Sequence, residues 1–318
     1  MSFKMVVLPP GYNQEWPQRI QAKIPGVEVK IFPSTVEAFN DIKNADCVYG
    51  EVPLELFKHA TRLRWIQCYA AGPPSSFYHQ ALVDSDVVVT NFKGVYHDSV
   101  GHHAVGLLLV LARGLHTCLA QQSRREWKPL KAAVHLPDST VLIIGVGSIG
   151  SEVARLCKYF GTTTIGLDPS LTEKPDYLDQ LYPSQKLNDL LPRADFVVLT
   201  TPDTPSTRKM ITTARLNLMK STAFLINVGR GSCVVLEDLV QALRSGKIAG
   251  AGLDVFETEP LPTEHPLWTL PNAILTPHIA AYDAPYIEER KTQILLTNCE
   301  RFAHGEPLMN VVNKQNRY

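Results

Sequence analysis

The sequence predicts an α/β fold built from two doubly wound parallel sheets. The chain has 318 residues, which suits about two domains at roughly 150 residues each. Short apolar runs bounded by Gly, Pro and Asp alternate with helix-compatible segments, as is typical of parallel strands joined by crossover helices. One long apolar segment divides these runs into two series, so we expect one sheet before it and one after it.

Composition narrows the class of protein. Hydrophobic residues make up 45% and charged residues 19% of the chain, which is typical of globular proteins. Lys and Arg together number 31, as do Asp and Glu, so the formal net charge is zero and we expect no nucleic acid partner. No apolar run approaches the roughly 20 residues that span a bilayer, and no signal-peptide pattern follows Met1. We therefore expect a cytoplasmic protein without a membrane partner.

The first series of predicted strands precedes residue 98. It comprises residues 5–8, 27–32, 47–49, 65–69 and 87–90. A long apolar helix follows over 100–111, with Ser99 as its N-cap and Gly114 as its stop signal. Because this helix is apolar on nearly all sides, we expect it to be buried, and we place the boundary between the domains at its start.

The second series of predicted strands follows that helix. It comprises residues 141–144, 164–167, 196–200, 223–227, 250–254 and 273–275. Beyond His278, apolar residues recur at helical spacing from Ile287 to Phe302, which predicts a final helix before a polar tail.

Three glycines directly follow the first strand of the second series. Gly145, Gly147 and Gly150 form a G-x-G-x-x-G pattern between that strand and an amphipathic helix. In this context the first glycine permits a tight turn, the second lets a pyrophosphate approach the backbone, and the third lets helix and strand pack closely. The helix N-terminus adds free N–H groups and a positive dipole end. We therefore predict a dinucleotide site in a Rossmann-type domain.

An acidic residue ends the next predicted strand. Asp168 lies 18 residues beyond Gly150, where a carboxylate accepts hydrogen bonds from the adenosine ribose and repels a 2′-phosphate. No Arg or Lys follows until Lys174, so we predict that the cofactor is NAD rather than NADP. The alternative is an ordinary Asp that opens the turn Asp168-Pro169-Ser170.

Three polar segments lie at or beyond the ends of later predicted strands, where open α/β sheets bind their ligands. They are Asn-Val-Gly-Arg-Gly at 227–231, Leu-Asp-Val-Phe-Glu-Thr-Glu-Pro at 253–260 and Thr-Pro-His-Ile-Ala at 276–280. Together with the glycine motif and in this order, they resemble the D-isomer-specific 2-hydroxyacid dehydrogenases, in which N-x-x-R-G, D-V-F-x-x-E-P and T-P-H motifs follow a dinucleotide fingerprint. The resemblance extends from about residue 87 to about residue 312.

The resemblance implies an architecture and an activity. It implies a Rossmann-type NAD domain over 99–284 and a discontinuous, flavodoxin-like substrate domain over 1–98 and 285–318, with catalysis in the cleft between them. It also implies a homodimer that transfers a hydride between nicotinamide C4 and C2 of a small 2-oxo or 2-hydroxy acid of the D series.

The residues of the three motifs suit that chemistry. The Arg230 guanidinium can grip the substrate carboxylate and the C2 oxygen. His278 can donate or accept the hydroxyl proton because a histidine pKa lies near neutrality. Glu259 can orient the imidazole and favour its protonated form. Taken singly, these side chains could be a loop arginine, a core histidine and a surface acid. The interpretation therefore depends on all three occurring in the order and context of the family motifs.

By the same resemblance, further residues contact the cofactor or the substrate. Ser148 and Ile149 would bind the pyrophosphate. The Val228 carbonyl and the Asp254 carboxylate would bind the nicotinamide carboxamide. The backbone N–H groups of Ala71 and Gly72 would bind the substrate carboxylate.

Two segments depart from the family pattern or leave alternatives open. The long helix begins Val-Gly-His-His at 100–103, where the family often has V-A-E-H. The loop 69–78 is aromatic and contains no basic residue, which disfavours a phosphorylated substrate. We predict that Tyr69, Phe77 and Tyr78 line an apolar pocket for an uncharged substrate side chain, so that kcat/KM rises from glyoxylate through pyruvate to branched or aromatic 2-oxo acids. The alternative is that these rings simply pack the loop.

We predict no metal site. The six cysteines are scattered without a C-x-x-C pair. Adjacent His102 and His103 point about 100° apart on a helix, which does not suit a shared ion.

Two other functions remain open. A formate dehydrogenase fits less well, because that branch has a glutamine where Glu259 stands. An NAD-sensing, corepressor-like scaffold of the same fold could keep Arg230, Glu259 and His278, and turnover of NADH would separate it from an enzyme.

Overall fold

The computed structural model of the protein describes residues 2–130, 133–281 and 285–317. The chain forms two compact units. The first unit comprises Met1–Val95 and Asp283–Tyr318, and the second unit comprises Tyr96–Tyr282. The functional assignment of 1–98 with 285–318 to substrate and of 99–284 to the dinucleotide stays a prediction.

Within the described residues, the two units contain twelve β-strands. They are β1 (Lys4–Val7), β2 (Glu28–Ile31), β3 (Cys47–Tyr49), β4 (Trp65–Gln67), β5 (Val88–Thr90), β6 (Thr140–Ile144), β7 (Thr163–Leu167), β8 (Gln180–Tyr182), β9 (Phe196–Leu199), β10 (Phe224–Asn227), β11 (Gly250–Leu253) and β12 (Ala273–Leu275). Every strand predicted from the sequence is present, and none of its ends is displaced by more than two residues.

Ten α-helices connect or cover these strands in the described part of the chain. They are α1 (Trp16–Lys23), α2 (Leu54–Phe57), α3 (Gln80–Val83), α4 (His97–Ala112), α5 (Leu115–Ser123), α6 (Ser148–Tyr159), α7 (Leu187–Leu190), α8 (Thr213–Leu216), α9 (Leu236–Arg244) and α10 (Pro285–His304).

The first unit has a five-stranded parallel sheet in the order β2-β1-β3-β4-β5. This is the strand order of flavodoxin-like doubly wound sheets. The C-terminal helix α10 packs in this unit, where Trp16 Nε1 donates a buried hydrogen bond to Thr292 Oγ1 at 2.9 Å. Asn298 Nδ2 also donates to Gln67 Oε1 at 3.2 Å. These contacts explain why the last helix joins the N-terminal strands.

The second unit has a seven-stranded parallel sheet in the order β12-β11-β10-β9-β6-β7-β8. The chain runs outward from β6 to β8 and then returns to β9 on the other side of β6. The carboxyl ends of β6 and β9 therefore flank a topological switch point, where doubly wound sheets bind ligands. Together the two sheets confirm the predicted α/β class of two doubly wound parallel sheets.

Two local features differ from the sequence prediction. Strand β8 was not predicted because it has only three residues, all half-buried at the sheet edge, and forms no continuous apolar run. Helix α4 begins at His97 instead of after an N-cap at Ser99. Ser99 is not a cap because its hydroxyl donates to the Ala280 carbonyl at 2.7 Å.

Helix α4 is largely buried against the second sheet, as its apolar sequence predicted. Its apolar residues pack with those of β6, β9 and α6 in one core cluster. Within the described residues, no single helix has the length and apolar character of a membrane span. Helices α4 and α5 meet that description only when taken together, and they are bent by 69°.

Candidate active site

The glycine motif forms the turn between β6 and α6. Gly145 has φ +91°, and a Cβ on Gly150 would overlap the Gly145 carbonyl, so both positions require glycine. A Cβ on Gly147 would meet no atom within 4 Å. Ser148 and Ile149 lie in the first turn of α6, whose N-terminus has no side-chain cap. Open space beside an uncapped helix N-terminus fits the pyrophosphate of a dinucleotide.

Asp168 follows β7 and stabilises the same turn. Its Oδ2 accepts a hydrogen bond from Val146 N at 2.8 Å. Its Oδ1 accepts from Ser170 N at 2.8 Å and from Ser170 Oγ at 2.6 Å. The Asp-Pro-Ser turn considered as an alternative is therefore formed, and the same half-buried carboxylate also lies beside the glycine turn.

The segment after β9 packs between two glycine turns. Thr200 Oγ1 donates to the Gly145 carbonyl. A Cβ on Gly145 would lie 2.9 Å from Thr201 Cγ2, and a Cβ on Gly229 would lie 2.7 Å from Thr201 O. Sequence reasoning missed both threonines. The signal that could have found them is their place at the end of the predicted strand 196–200 and directly after it, next to the switch point.

Asn227 shapes the turn that carries Arg230. Its Oδ1 accepts from Gly229 N at 3.1 Å, and its Nδ2 donates to Arg230 O at 3.0 Å. A Cβ on Gly231 would overlap the Phe256 carbonyl, so the second glycine of this motif is required by packing. The Arg230 guanidinium donates to Gly229 O at 2.6 Å and is half-buried.

His278 and Glu259 are joined by a short hydrogen bond. A carboxylate can only accept, so His278 Nδ1 donates to Glu259 Oε2, at 2.6 Å. The two side chains are 45% and 35% exposed. Glu259 Oε1 also accepts from Phe256 N at 2.9 Å, which orients the carboxylate.

The hydrogen-bonded pair shifts the pKa of both members. The hydrogen bond from His278 to Glu259 raises the pKa of His278 above its usual value, against the opposing effects of burial and of the Arg230 charge. Burial acts to raise the pKa of Glu259, but hydrogen bonds from His278 and from Phe256 N lower it below its usual value. Arg230, Glu259 and His278 therefore interact electrostatically within the second unit.

Asp254 follows β11 and fixes the segment that carries His278. It is 1% exposed. Its carboxylate accepts from Ile279 N and Ala280 N, each at 3.0 Å, and from Thr276 Oγ1 at 2.6 Å. His278 has φ +53°, which is unusual for a non-glycine residue. The buried carboxylate therefore stabilises a strained turn next to the histidine.

The remaining predicted residues lie after strands in both units. Val228 directly follows β10, is buried, and donates its N–H to Leu199 O at 3.2 Å. Ala71 and Gly72 lie in the first unit, in the loop after β4, where Asn91 Nδ2 donates to Ala71 O at 2.8 Å.

The aromatic residues of that loop answer the question that the sequence left open. Phe77 and Tyr78 are 2% and 5% exposed and belong to the core cluster of the first unit. Tyr69 is half-buried and packs against the same cluster. Phe77 and Tyr78 therefore pack in the core of the first unit, which favours the packing alternative over the predicted apolar pocket.

The Val-Gly-His-His segment near the start of α4 packs against an acidic residue of α6. A Cβ on Gly101 would lie 2.7 Å from Glu152 Cγ, so glycine makes room for this buried acid. Glu152 lies 3.7 Å from His102 Nε2 and 2.7 Å from Arg155 Nη2. At the position where the family often has an acid, His102 thus lies beside an acid of α6. In the described part of the chain, no group of three or more His, Cys, Asp or Glu side chains could hold a metal ion.

Comparison with known families agrees with this geometry. The model of the D-isomer specific 2-hydroxyacid dehydrogenase family, NAD binding domain, matches residues 105–280, which is more than half of the chain. The chain belongs to the D-isomer specific 2-hydroxyacid dehydrogenase family. The predicted family is therefore confirmed, and the second unit contains the NAD-binding domain of this dehydrogenase.

Relatives of the dehydrogenase include named reductases and solved structures. A glyoxylate reductase of Thermococcus gammatolerans is 39% identical over 272 residues, which are 82% of this chain and 79% of that protein. A family protein of Aeromonas salmonicida is 33% identical, with a TM-score of 0.82 over 98% of this chain and 99% of that chain. An NADPH-dependent glyoxylate/hydroxypyruvate reductase of Sinorhizobium meliloti, solved with NADP and sulfate, is 27% identical, with a TM-score of 0.85 over 99% of this chain and 100% of that chain.

These findings define the class of enzyme. The dehydrogenase is an NAD(P)-dependent oxidoreductase of 2-hydroxy acids, as the sequence predicted. The Sinorhizobium relative was solved with NADP, so family membership alone does not determine which of the two cofactors this chain uses.

Proposed function

We propose that the dehydrogenase reduces a small 2-oxo acid with an uncharged side chain, with NADH as the hydride donor. In this proposal His278 donates the proton, Glu259 is its hydrogen-bond partner, and Arg230 binds the substrate anion. The observation that carries this proposal is the 2.6 Å hydrogen bond between His278 and Glu259. It occupies Nδ1 of the imidazole and leaves Nε2 for the substrate oxygen.

The second unit would hold the cofactor with residues at its strand ends and in the first turn of α6. These residues are Ser148, Ile149, Asp168, Val228 and Asp254. The space over Gly147 and the uncapped N-terminus of α6 support this assignment. When bound, the nicotinamide supplies or accepts the hydride at C4.

His278 would supply the proton that turns the C2 carbonyl oxygen into a hydroxyl. The raised pKa of His278 increases its protonated fraction near neutral pH. Glu259 accepts from Nδ1 and therefore stabilises the imidazolium that gives its other proton to the substrate. In the reverse direction the neutral imidazole takes that proton back.

Arg230 would bind the substrate carboxylate and polarise its C2 oxygen. A guanidinium presents donors in a fixed planar fork, which suits two oxygen atoms on adjacent carbons. The turn made by Asn227 and the packing of Gly231 against Phe256 hold the backbone of this residue. The N–H groups of Ala71 and Gly72 would add further donors to the carboxylate.

Asp168 supports a preference for NAD over NADP. Its carboxylate lies at the end of β7 and is bonded to Val146 of the glycine turn, so a negative charge is fixed where the adenosine ribose would be held. A 2′-phosphate at that place would be repelled.

The packing of the aromatic loop supports a short substrate side chain. Phe77 and Tyr78 are buried in the core of the first unit. In this proposal they therefore do not form an apolar pocket for the substrate side chain. The Thermococcus relative is named a glyoxylate reductase. We therefore propose glyoxylate-like or hydroxypyruvate-like acids in preference to branched or aromatic ones.

We further propose a cytoplasmic homodimer formed through the second unit. Exposed apolar side chains in and after α5 support that interface, because Leu119 is 64% and Trp127 is 99% exposed. Sedimentation of the purified protein tests it, and a monomer at micromolar concentration would contradict it.

The substrate proposal is tested by NADH oxidation with glyoxylate, hydroxypyruvate, pyruvate and phenylpyruvate. We expect the highest kcat/KM with one of the first two acids. Arg230→Lys should lower that value by about a hundredfold, the order of the roughly 3 kcal/mol of a hydrogen bond to a charged group. Arg244→Lys, at the exposed end of α9, is the matched control. An absence of NADH oxidation with every acid would favour the scaffold interpretation.

A further inference from the structure

Two side chains on one face of α4 contact the segment that carries His278. Ser99 and His103 are one helical turn apart, so they lie on the same face. Ser99 Oγ donates to the Ala280 carbonyl at 2.7 Å, and His103 Nε2 lies 2.9 Å from Thr276 Oγ1. Helix α4 therefore contacts this segment both before and after the histidine.

The Thr276 hydroxyl sets the direction of these hydrogen bonds. It donates its single proton to Asp254 Oδ1 at 2.6 Å. Thr276 Oγ1 is then an acceptor towards α4, so His103 Nε2 must carry the proton that it shares. The same nitrogen lies 3.5 Å from Asp254 Oδ1, and the His103 side chain is 22% exposed. The imidazole thus donates to the threonine, and the buried carboxylate lies close to the same nitrogen.

Asp254 connects this donor to the turn at His278. Its oxygens accept the backbone N–H groups of Ile279 and Ala280, each at 3.0 Å. Those two amides directly follow the residue with φ +53°. A positive φ at histidine persists only where neighbouring bonds hold it, and Asp254 makes two of these bonds.

We propose that His103 is a positioning residue for His278, acting through Thr276 and Asp254; this inference rests on the proposed function of His278. The donor on α4 keeps the Thr276 hydroxyl directed at Asp254. Asp254 then keeps both oxygens on the two amides beyond His278. Loss of the donor loosens the turn beyond His278, so proton transfer slows. Asp254, which is buried after β11, and the glycine turn, both of which would bind the cofactor, stay in place.

The adjacent histidine provides a matched control. His102 is 64% exposed and lies 3.7 Å from Glu152 on α6. Within the described residues, it makes no hydrogen bond to Thr276, Asp254 or His278. His102→Leu therefore makes the same chemical change one residue away without touching this network.

Kinetics of variants test the positioning role. We expect His103→Leu to lower kcat about tenfold, while the Kd for NADH stays within about twofold, because one partly buried hydrogen bond is lost. His103→Gln retains an N–H donor and should recover at least about half of the wild-type kcat, and His102→Leu should remain within about twofold of it. Thr276→Val should lower kcat as His103→Leu does, and the double variant should be no slower than the slower single variant. A kcat for His103→Leu within about twofold of wild type, or multiplicative effects in the double variant, would overturn the inference.

A second readout needs neither substrate nor cofactor. In the cofactor-free protein, the backbone amide NMR resonances of Ile279 and Ala280 should shift in His103→Leu and stay in place in His102→Leu. Unmoved resonances in His103→Leu would contradict the positioning role. If the resonances move but the wild type reduces no 2-oxo acid, the proposed function fails while the contact between α4 and the turn stands.

Discussion

The Asp168 carboxylate accepts a hydrogen bond from Val146 N at 2.8 Å. The residue that would select the cofactor therefore also stabilises the turn that would bind its pyrophosphate. A substitution at this position has two separable consequences, one for the charge and one for the turn.

Asp168→Asn removes the charge and keeps only one of the two oxygens that accept from Val146 N and from Ser170. We expect the ratio of kcat/KM for NADH to that for NADPH to fall about tenfold. That factor is about 1.4 kcal/mol, between the ~1 kcal/mol by which two unit charges about 4 Å apart repel in water and the ~4 kcal/mol near a protein surface. The free energy of unfolding should fall by about 1 kcal/mol, because either Val146 N or Ser170 N then lacks its acceptor. Asp168→Ala should alter the ratio similarly and lower the free energy of unfolding further, by about 2 kcal/mol, because Val146 N and Ser170 N both lose their acceptor. A wild-type enzyme that prefers NADPH would refute this role of Asp168.

Glu259→Gln tests the electrostatic part of the catalytic pair. Glu259 raises the pKa of His278, and reduction needs the protonated imidazole. The rate of reduction therefore falls as pH rises through the pKa of His278. Without the carboxylate that pKa is lower, so this falling limb should move to lower pH in the variant. The measurement is kcat/KM for reduction against pH, and a limb at the wild-type position would disprove the pairing.

Gly231→Ala and Gly147→Ala separate packing from cofactor binding. A Cβ on Gly231 would overlap the Phe256 carbonyl, so this variant should lose about 3 kcal/mol of stability, measured by denaturant unfolding. A Cβ on Gly147 meets nothing within 4 Å, so that variant should stay within about 1 kcal/mol of wild type. Gly147→Ala should nevertheless weaken NADH binding, because its Cβ occupies the space open to the pyrophosphate. Equal stability of both variants would contradict the packing argument.

The sequence predicted most of the fold because its signals are local. Apolar runs bounded by Gly, Pro and Asp located eleven strands, and only the half-buried edge strand β8 was missed. The start of α4 was misplaced because Ser99 bonds Ala280, a residue far along the chain. No local pattern can report such a contact.

The residues of the candidate site also divide into those that local motifs predict and those that depend on contacts between distant parts of the chain. Arg230, Glu259 and His278 were found because each lies in an ordered motif. The sequence did not reveal that Thr201 packs against Gly145 and Gly229, since that contact depends on how neighbouring strands pair. The bond between His103 and Thr276 depends likewise on how α4 packs across the second sheet.

The central claim is that His278 donates the proton. His278→Asn keeps a polar side chain of similar size and cannot transfer a proton at neutral pH, while His304→Asn, at the exposed end of α10, is the matched control. We predict that His278→Asn lowers kcat for reduction of the best 2-oxo acid by about a hundredfold or more, with the Kd for NADH within about twofold of wild type. A His278→Asn enzyme that keeps more than about half of the wild-type kcat would contradict the account.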